Sequence, residues 1–474
     1  MLSLESYLRT DIVSLKNVVG LDSHNKDDSS TYLGIDYSFG IKSEFKDEGP
    51  VFYLKLERNG PFDDDAPLFI HNTLMTSGGV IERYRNEELL PQLEEFWLDT
   101  KLLNKTRLKI GLYPYEVGNG FSLSGSYENY GASIYEEKDN FTWRIYYCRP
   151  DLEYKNRLGP PIYQEKEQGM VYNHGASNFF AGDFKLSREN FSFQPYLGVL
   201  ADYTSAGKRD NLFSAPIKKD LLGTLGFAWW LKKEDLSFSL EFAHNFGEAE
   251  SADENYKDIT HTGYMVFTEL SYSFNNFVPA FQFLLCSGNK VTPEMAQAQD
   301  TTLTSAKNRA FSYTSPLNLN LGDSISSANS DARPIVAMGA GYGLNYGIAR
   351  PETFCATDYD NLIMPSLGFD WDLNKKFSIG LYGYYMMSFT RGVGVLENEA
   401  RYLSRELGYE VDLFLDYQLT PHVLISFLGG YFLPGKYYKE KRDDTDGSIF
   451  SPYLRGDGNA DPAYQLELVM EIKF

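Results

Sequence analysis

Between Ala463 and Phe474 the chain alternates residue by residue. Tyr464, Leu466, Leu468, Met470, Ile472 and Phe474 fall on one side, and Gln465, Glu467, Val469, Glu471 and Lys473 on the other. A period of two places successive side chains on opposite faces of a β-strand, so this segment needs one apolar and one watery neighbour. The pattern recurs. Residues 31–42 set Leu33, Ile35, Tyr37, Phe39 and Ile41 against Gly34, Asp36, Ser38, Gly40 and Lys42. Residues 51–58 set Phe52, Leu54 and Leu56 against Tyr53, Lys55 and Glu57.

Further alternating runs come in pairs. They are 95–103 with 106–114 across Asn104-Lys105, 128–137 with 140–149 across Lys138-Asp139, and 176–187 with 190–203 across Arg188-Glu189. Next are 220–232 with 235–246 across Lys233-Glu234, and 261–274 with 277–287 across Asn275-Asn276. The last are 362–373 with 376–389 across Asn374-Lys375, and 406–418 with 421–433 at Thr420. Short polar turns between alternating runs mark β-hairpins. The other connections are long, at about 59–93, 115–127, 150–175, 204–219, 247–260, 288–361, 390–405 and 434–462. The short turn after 31–42 requires an opposed strand before it. Residues 6–19 supply that strand, with Asn25–Asp28 as the first long-side loop, and the count becomes eighteen with both chain ends on the short-turn side.

Alternating short turns and long loops fit a transmembrane antiparallel up-and-down β-barrel, its short turns periplasmic and its long loops extracellular. The expected fold is therefore all-β, a single barrel domain over residues 1–474. Eighteen strands are preferred to sixteen or twenty. The glycine-rich part of 288–361 (Pro334–Gly347) is expected to be either an extracellular cap or a segment folded into the pore as a constriction.

Composition agrees. No run approaches the roughly 20 apolar residues of a membrane helix, while a barrel needs only alternate ones. Cys148, Cys286 and Cys355 lie far apart, without disulfide, metal or haem spacing. Met1 precedes polar LSLESYLRT and is read as a start on a mature sequence whose signal peptide has been removed. The six histidines show no metal or triad spacing, Gly339–Gly343 lacks a strand-to-helix setting, and no basic-aromatic patch stands out. No enzyme activity, cofactor, metal or nucleic acid is expected. The acidic runs Asp63–Asp65, Asp443–Asp446 and Asp457–Asn459 lack the closing Glu of a calcium loop and are read as solvated surface.

Placing each polar face in the lumen nominates the pore lining. Its acids are Asp36, Glu57, Asp370, Asp372, Glu410, Asp412, Asp416, Glu467 and Glu471, and its bases Arg9, Lys42, Lys55, Arg107, Lys109, Arg144 and Lys185. Bases gather before residue 190 and acids toward the C-terminus, so two walls of opposite sign are expected to share a transverse field. Glu410, Asp412 and Asp416 against Arg107, Lys109 and Arg144 are the expected selecting groups. Tyr53, Tyr113, Tyr146, Tyr196, Tyr382 and Tyr384 are expected inside, where rings stack on sugars. Trp143, Trp229, Phe277 and Tyr417 are expected in an interfacial girdle.

Leu407–Leu413 (LGYEVDL), Gly429–Gly435 (GGYFLPG), Asn361 with Pro365–Gly368, Tyr7–Thr10, Lys109–Gly111 and Gly118–Phe121 resemble strand motifs of the alginate-export family of outer-membrane porins. That resemblance implies an outer-membrane barrel with an arginine-lined route. Here Leu112-Tyr113 stand where the family often carries Arg-Gln. The last strand, with Phe474 at its end, resembles the assembly-signal strand of bacterial outer-membrane barrels, which implies the barrel-assembly machinery as a partner alongside the lipid bilayer. The expected function is an outer-membrane porin of a Gram-negative bacterium. It would pass small hydrophilic solutes, oligosaccharides or cations among them, by diffusion. The alternatives are an alginate-type polysaccharide exporter and a non-transporting structural or adhesin barrel.

Overall fold

The computed structural model describes residues 2–17, 21, 29–45, 49–58, 92–103, 105–125, 130–149, 178–203, 217–251, 257–290, 292–294, 307–311, 314, 334–338, 361–397, 399–441 and 458–474. The alternating runs form β1 (Leu2–Lys16), β2 (Ser29–Glu44), β3 (Val51–Arg58), β4 (Gln92–Leu103), β5 (Thr106–Leu112) and β6 (Tyr130–Lys138). These lead into β7 (Phe141–Cys148), β8 (Asn178–Arg188), β9 (Phe191–Asp202), β10 (Ile217–Lys233), β11 (Leu236–Ser251) and β12 (Tyr264–Tyr272). The last six are β13 (Phe277–Cys286), β14 (Leu362–Asn374), β15 (Phe377–Ser388), β16 (Glu406–Thr420), β17 (Val423–Pro434) and β18 (Ala463–Lys473).

Each strand pairs antiparallel with its predecessor. The cylinder closes where β1 meets β18, from Tyr7 opposite Lys473 to Lys16 opposite Tyr464. The eighteen-strand barrel expected from the alternation is the observed fold. The described ladder thus has no free edge strand, which is what hydrocarbon demands of a spanning sheet.

The exterior is greasy. Leu4, Ile12, Phe39, Leu98, Leu367 and Leu468 are among many large apolar side chains left exposed on the outer face. Aromatic rings gather near its two ends. Trp143, Trp229, Phe277 and Tyr417 lie on the outside near the short turns, as expected for a girdle, and Phe277 sits 5.1 Å from Phe369. Toward the other end Tyr385 stacks on Tyr409 at 4.8 Å. Tyr409 to Tyr417 is a run of nine residues, within the about 9–11 that a tilted transmembrane strand needs to cross the hydrocarbon. Leu367 stands between the belts on β14 and is 68% exposed. Leu367→Lys is expected to destabilise the folded barrel by about 2–4 kcal/mol, the midplane range for lysine, read by reversible unfolding in lipid; no loss would place this face away from hydrocarbon.

Strand limits differ from the alternation at three informative places. β1 begins at Leu2 rather than residue 6, because Leu2–Glu5 still pair with Gly40–Ser43. The run 261–274 is broken at Thr262-Gly263. Ile259–His261 forms its own short strand, and a Cβ on Gly263 would stand 2.2 Å from the Ala310 carbonyl oxygen. β5 stops at Leu112, just after Gly111, whose φ of +136° only glycine holds without strain. A Cβ there would lie 2.0 Å from the Phe96 carbonyl oxygen. Beyond that point the chain leaves the wall and turns into the lumen. Eighteen strands enclose more room than wall side chains fill, and the buried clusters sit where described segments of the loops pack inside.

Candidate functional site

Residues 113–125 were expected in part as an outer loop; instead they cross the interior and dock on β8–β12. Tyr115, Val117, Phe121, Ser122 and Leu123 are all buried. The anchor is Glu241 of β11, with no exposed surface. It accepts the Asn119 N–H at 2.6 Å, the Ser122 hydroxyl at 2.7 Å and the Tyr196 hydroxyl at 2.8 Å. Trp230 Nε1 donates to Asn119 Oδ1 at 2.8 Å, and the Gly118 N–H donates to Gln194 Oε1 at 3.3 Å. Gly118 has φ +63°, and a Cβ there would meet Glu241 Oε2 at 2.7 Å, so this close approach requires glycine. Upstream, the Tyr115 hydroxyl donates to Asp183 Oδ1 at 2.9 Å. Burial and that neighbouring carboxylate push the Tyr115 pKa up, so its hydroxyl stays a neutral donor.

A second inward segment comes from 288–361. Its described helix α1 (Ile335–Met338) lies on the inner face of β16–β18. The Ile335 N–H donates to Asp412 Oδ2 at 2.9 Å, and the Val336 and Ala337 N–H groups donate to Glu410 at 2.6 and 2.8 Å. Gly430 makes the room: a Cβ there would stand 2.8 Å from Val336 and 2.9 Å from Asp412 Oδ1. Glu410 and Asp412 are 1% and 0% exposed. The expectation that they face pore water as selecting groups is corrected. They point inward, but peptide N–H groups occupy them.

The basic wall is also different from its expected character, because its arginines are matched locally. Arg9 pairs with Asp36 and Lys55 with Glu57. Arg107 Nε lies 2.9 Å from Asp99 and Arg144 Nε 2.9 Å from Asp183. Lys42 is 2.6 Å from Glu44, and Lys473 is 2.5 Å from Glu471 near the short-turn end. Lys109 and Lys185 instead sit over rings, Lys109 3.9 Å from Trp97 and 4.3 Å from Tyr113, and Lys185 5.0 Å from Trp230. Glu467 is buried and receives the Gln465 amide. Asp370, which accepts the Tyr382 hydroxyl at 2.5 Å, and Asp372 are exposed on β14. Asp416 accepts the Ser426 hydroxyl at 2.5 Å and is partly exposed.

The expected pore tyrosines divide sharply. Tyr146 is fully covered, and Tyr113, Tyr196, Tyr382 and Tyr384 keep only 2–4% of their surface. Tyr115 stacks on Tyr146 at 4.6 Å and Tyr113 meets it edge-on at 5.7 Å. Those five rings pack under the inward segments or against the wall and offer no face to a solute. Tyr53 alone of the six stays partly exposed.

Over its full length the chain is similar to the crystal structure of a BenF-like porin from Pseudomonas fluorescens Pf-5, with TM-score 0.52 and 7% identity, covering 98% of that chain. It is also similar to Pseudomonas aeruginosa OccK2 (OpdF), solved in complex with glucuronate, at TM-score 0.52 and 8% identity over 100% of this chain and 98% of that one. The outer membrane protein OprD from Pseudomonas aeruginosa gives 0.50 and 9%, over 100% and 93%. This is the outer-membrane porin fold. At such identity the likeness is one of architecture. No protein-family model matches the sequence, and neither does any curated protein.

The alginate-export resemblance is thereby not supported; what stands is the general porin barrel. The motifs that carried it have a local geometric cause. Gly408 has φ +146° and lies against the Leu433 carbonyl, Gly430 accommodates α1, and Gly435 packs on the Glu406 backbone. These are requirements of a hairpin beside an inward segment within the porin fold. The residues that sequence reasoning missed are Tyr115, Asn119, Ser122, Trp230 and Trp97. For Trp97 and Trp230 the signal was their inward place in the alternating runs; for Tyr115, Asn119 and Ser122 it was the Gly118–Phe121 run (GNGF), whose glycines mark a tight path without saying which way it turns.

Proposed function

We propose that this barrel is a diffusion porin for small hydrophilic solutes, with preference for cations and neutral molecules over anions. The observation that carries the reading is charge bookkeeping around the inner wall. On β1–β9 Arg9, Lys55, Arg107 and Arg144 each meet a carboxylate of the same wall. On β12–β17 there is no lysine or arginine at all, while Glu269, Asp370, Asp372 and Asp416 point inward. The unbalanced charge of the pore surface is therefore acidic, and a wall of one sign concentrates its counter-ions. The two docked segments, 113–125 and 334–338, supply the size limit. A matched arginine wall and a narrowed lumen do not favour an exporter of anionic polymer. The exposed Phe474 just after β18 is the group expected to engage the barrel-assembly machinery.

The test is reversal potential across a planar bilayer in a salt gradient. The combined Asp370→Asn, Asp372→Asn and Asp416→Asn variant is expected to lower the cation-to-anion permeability ratio about threefold, as a change of about half a kT in local potential gives when cation and anion respond oppositely. An unmoved reversal potential would remove these carboxylates from selection. A barrel that passes no current would remove the porin reading altogether.

A further inference from the structure

We propose that Tyr53 and Trp97 form a subsite for a pyranose ring on the inner wall, so that neutral saccharides are among the solutes; this rests on the porin reading above. The two residues stand directly opposite each other in the β3–β4 register, on the inward face. Their ring centroids are 5.3 Å apart with the planes inclined by 31°, and both rings keep part of their surface open. This sets them apart from the five tyrosines that the packing covers.

The polar surroundings suit the rim of a sugar. Trp97 Nε1 donates to Glu95 Oε2 at 3.1 Å, and the Tyr53 hydroxyl reaches Glu5 Oε2 at 3.5 Å. Lys109 Nζ lies 3.9 Å from the Trp97 ring centroid. A pyranose presents an apolar C–H face and an equatorial ring of hydroxyls. The face packs on the aromatic pair as Lys109 swings off the Trp97 ring, while the hydroxyls donate to the Glu95 and Glu5 carboxylates and accept from the displaced Lys109 ammonium. Two carboxylates beside one ammonium favour an uncharged sugar over a sugar acid. On the neighbouring strand Gly40, with no Cβ, makes room for the Tyr53 ring end, whose hydroxyl would stand 3.1 Å from a Cβ there.

The probe is maltose, a neutral disaccharide of pyranose rings, compared with mannitol, an open-chain polyol, on the full barrel in a planar bilayer. Maltose is expected to block the salt current saturably, whereas mannitol lowers it only in proportion to its bulk effect on the solution. Tyr53→Ala and Trp97→Ala are each expected to raise the half-blocking maltose concentration roughly tenfold, the factor given by about 1.4 kcal/mol. Tyr53→Phe, which keeps the ring, is expected to stay within about twofold of the unsubstituted barrel, since ring contact rather than the hydroxyl carries the packing. Salt conductance in each variant reports that the barrel has folded and inserted. If the alanine variants fail to insert, Trp97→Phe must still weaken the block measurably. Maltose acting like mannitol on a conducting, unsubstituted barrel overturns the subsite and leaves the porin reading standing, as does an unchanged block in the ring-deleting variants. A barrel that carries no salt current overturns both.

Discussion

Glu241→Ala is expected to raise single-channel conductance about two- to threefold, because current follows the open cross-section of the narrowest part. Glu241 is the one buried carboxylate that takes donors from Asn119, Ser122 and Tyr196 together. Removing it leaves the Asn119 N–H and one of the Ser122 and Tyr196 hydroxyls, which also bond each other, without an acceptor in a closed space, at about 1–3 kcal/mol for each buried group so orphaned. The loop regains water for them by leaving the wall. The barrel survives, since its strand ladder does not pass through this side chain. Ser122→Ala removes one of the three donors and is expected to give a smaller rise. A folded Glu241→Ala channel of unchanged conductance would show that 113–125 is not the constriction.

The second large effect is expected from Glu410→Gln combined with Asp412→Asn. After Glu410→Gln a single amide oxygen is left for the two peptide N–H groups of Val336 and Ala337, so an NH₂ donor faces one of them where an acceptor stood, and Asp412→Asn replaces the charged acceptor of the Ile335 N–H by a weaker neutral one. Segment 334–338 is then expected to detach, giving a higher and noisier current. The reversal potential is expected to move far less than with the Asp370, Asp372 and Asp416 substitutions, because Glu410 and Asp412 are closed from the solution. Recordings that show the opposite split, a large change of selectivity at constant conductance, would return these two carboxylates to the pore surface.

The wall of the barrel was legible in the sequence because a membrane imposes a strict rule on every second residue. A one-residue slip in Leu466–Met470 or Tyr409–Val411 would turn Glu467 or Glu410 toward lipid, so the pattern sets both strand and register. Parity then called for a first strand at residues 6–19, although their alternation is weaker, and the strand observed is Leu2–Lys16. The lumen was much less legible. Which way a side chain points follows from period two, but what covers it depends on loops whose path alternation does not encode. Glu410 and Asp412 were placed on the correct face and assigned the wrong neighbour. Tyr146 and Tyr196 were likewise placed inside, yet sit under Tyr115 and beside Ser122. Arg144 was read as half of a positive wall because Asp183 is nearly forty residues away in sequence, although β7 and β8 set the two directly opposite. Cross-strand pairing turns distant opposite charges into neighbours, and a list of charges by sequence position hides that.

The seam between β1 and β18 has a consequence for how this molecule comes into being. It joins Tyr7–Lys16 to Tyr464–Lys473, so the ring is completed by two strands that lie far apart along the chain. Until both are present each is a free edge, with unpaired peptide groups ready to catch another chain and intolerable to a lipid interior. The polypeptide therefore has to be kept from insertion until both of these strands are present, and the final bond row to form is the one on which the solubility of all the others in the bilayer depends.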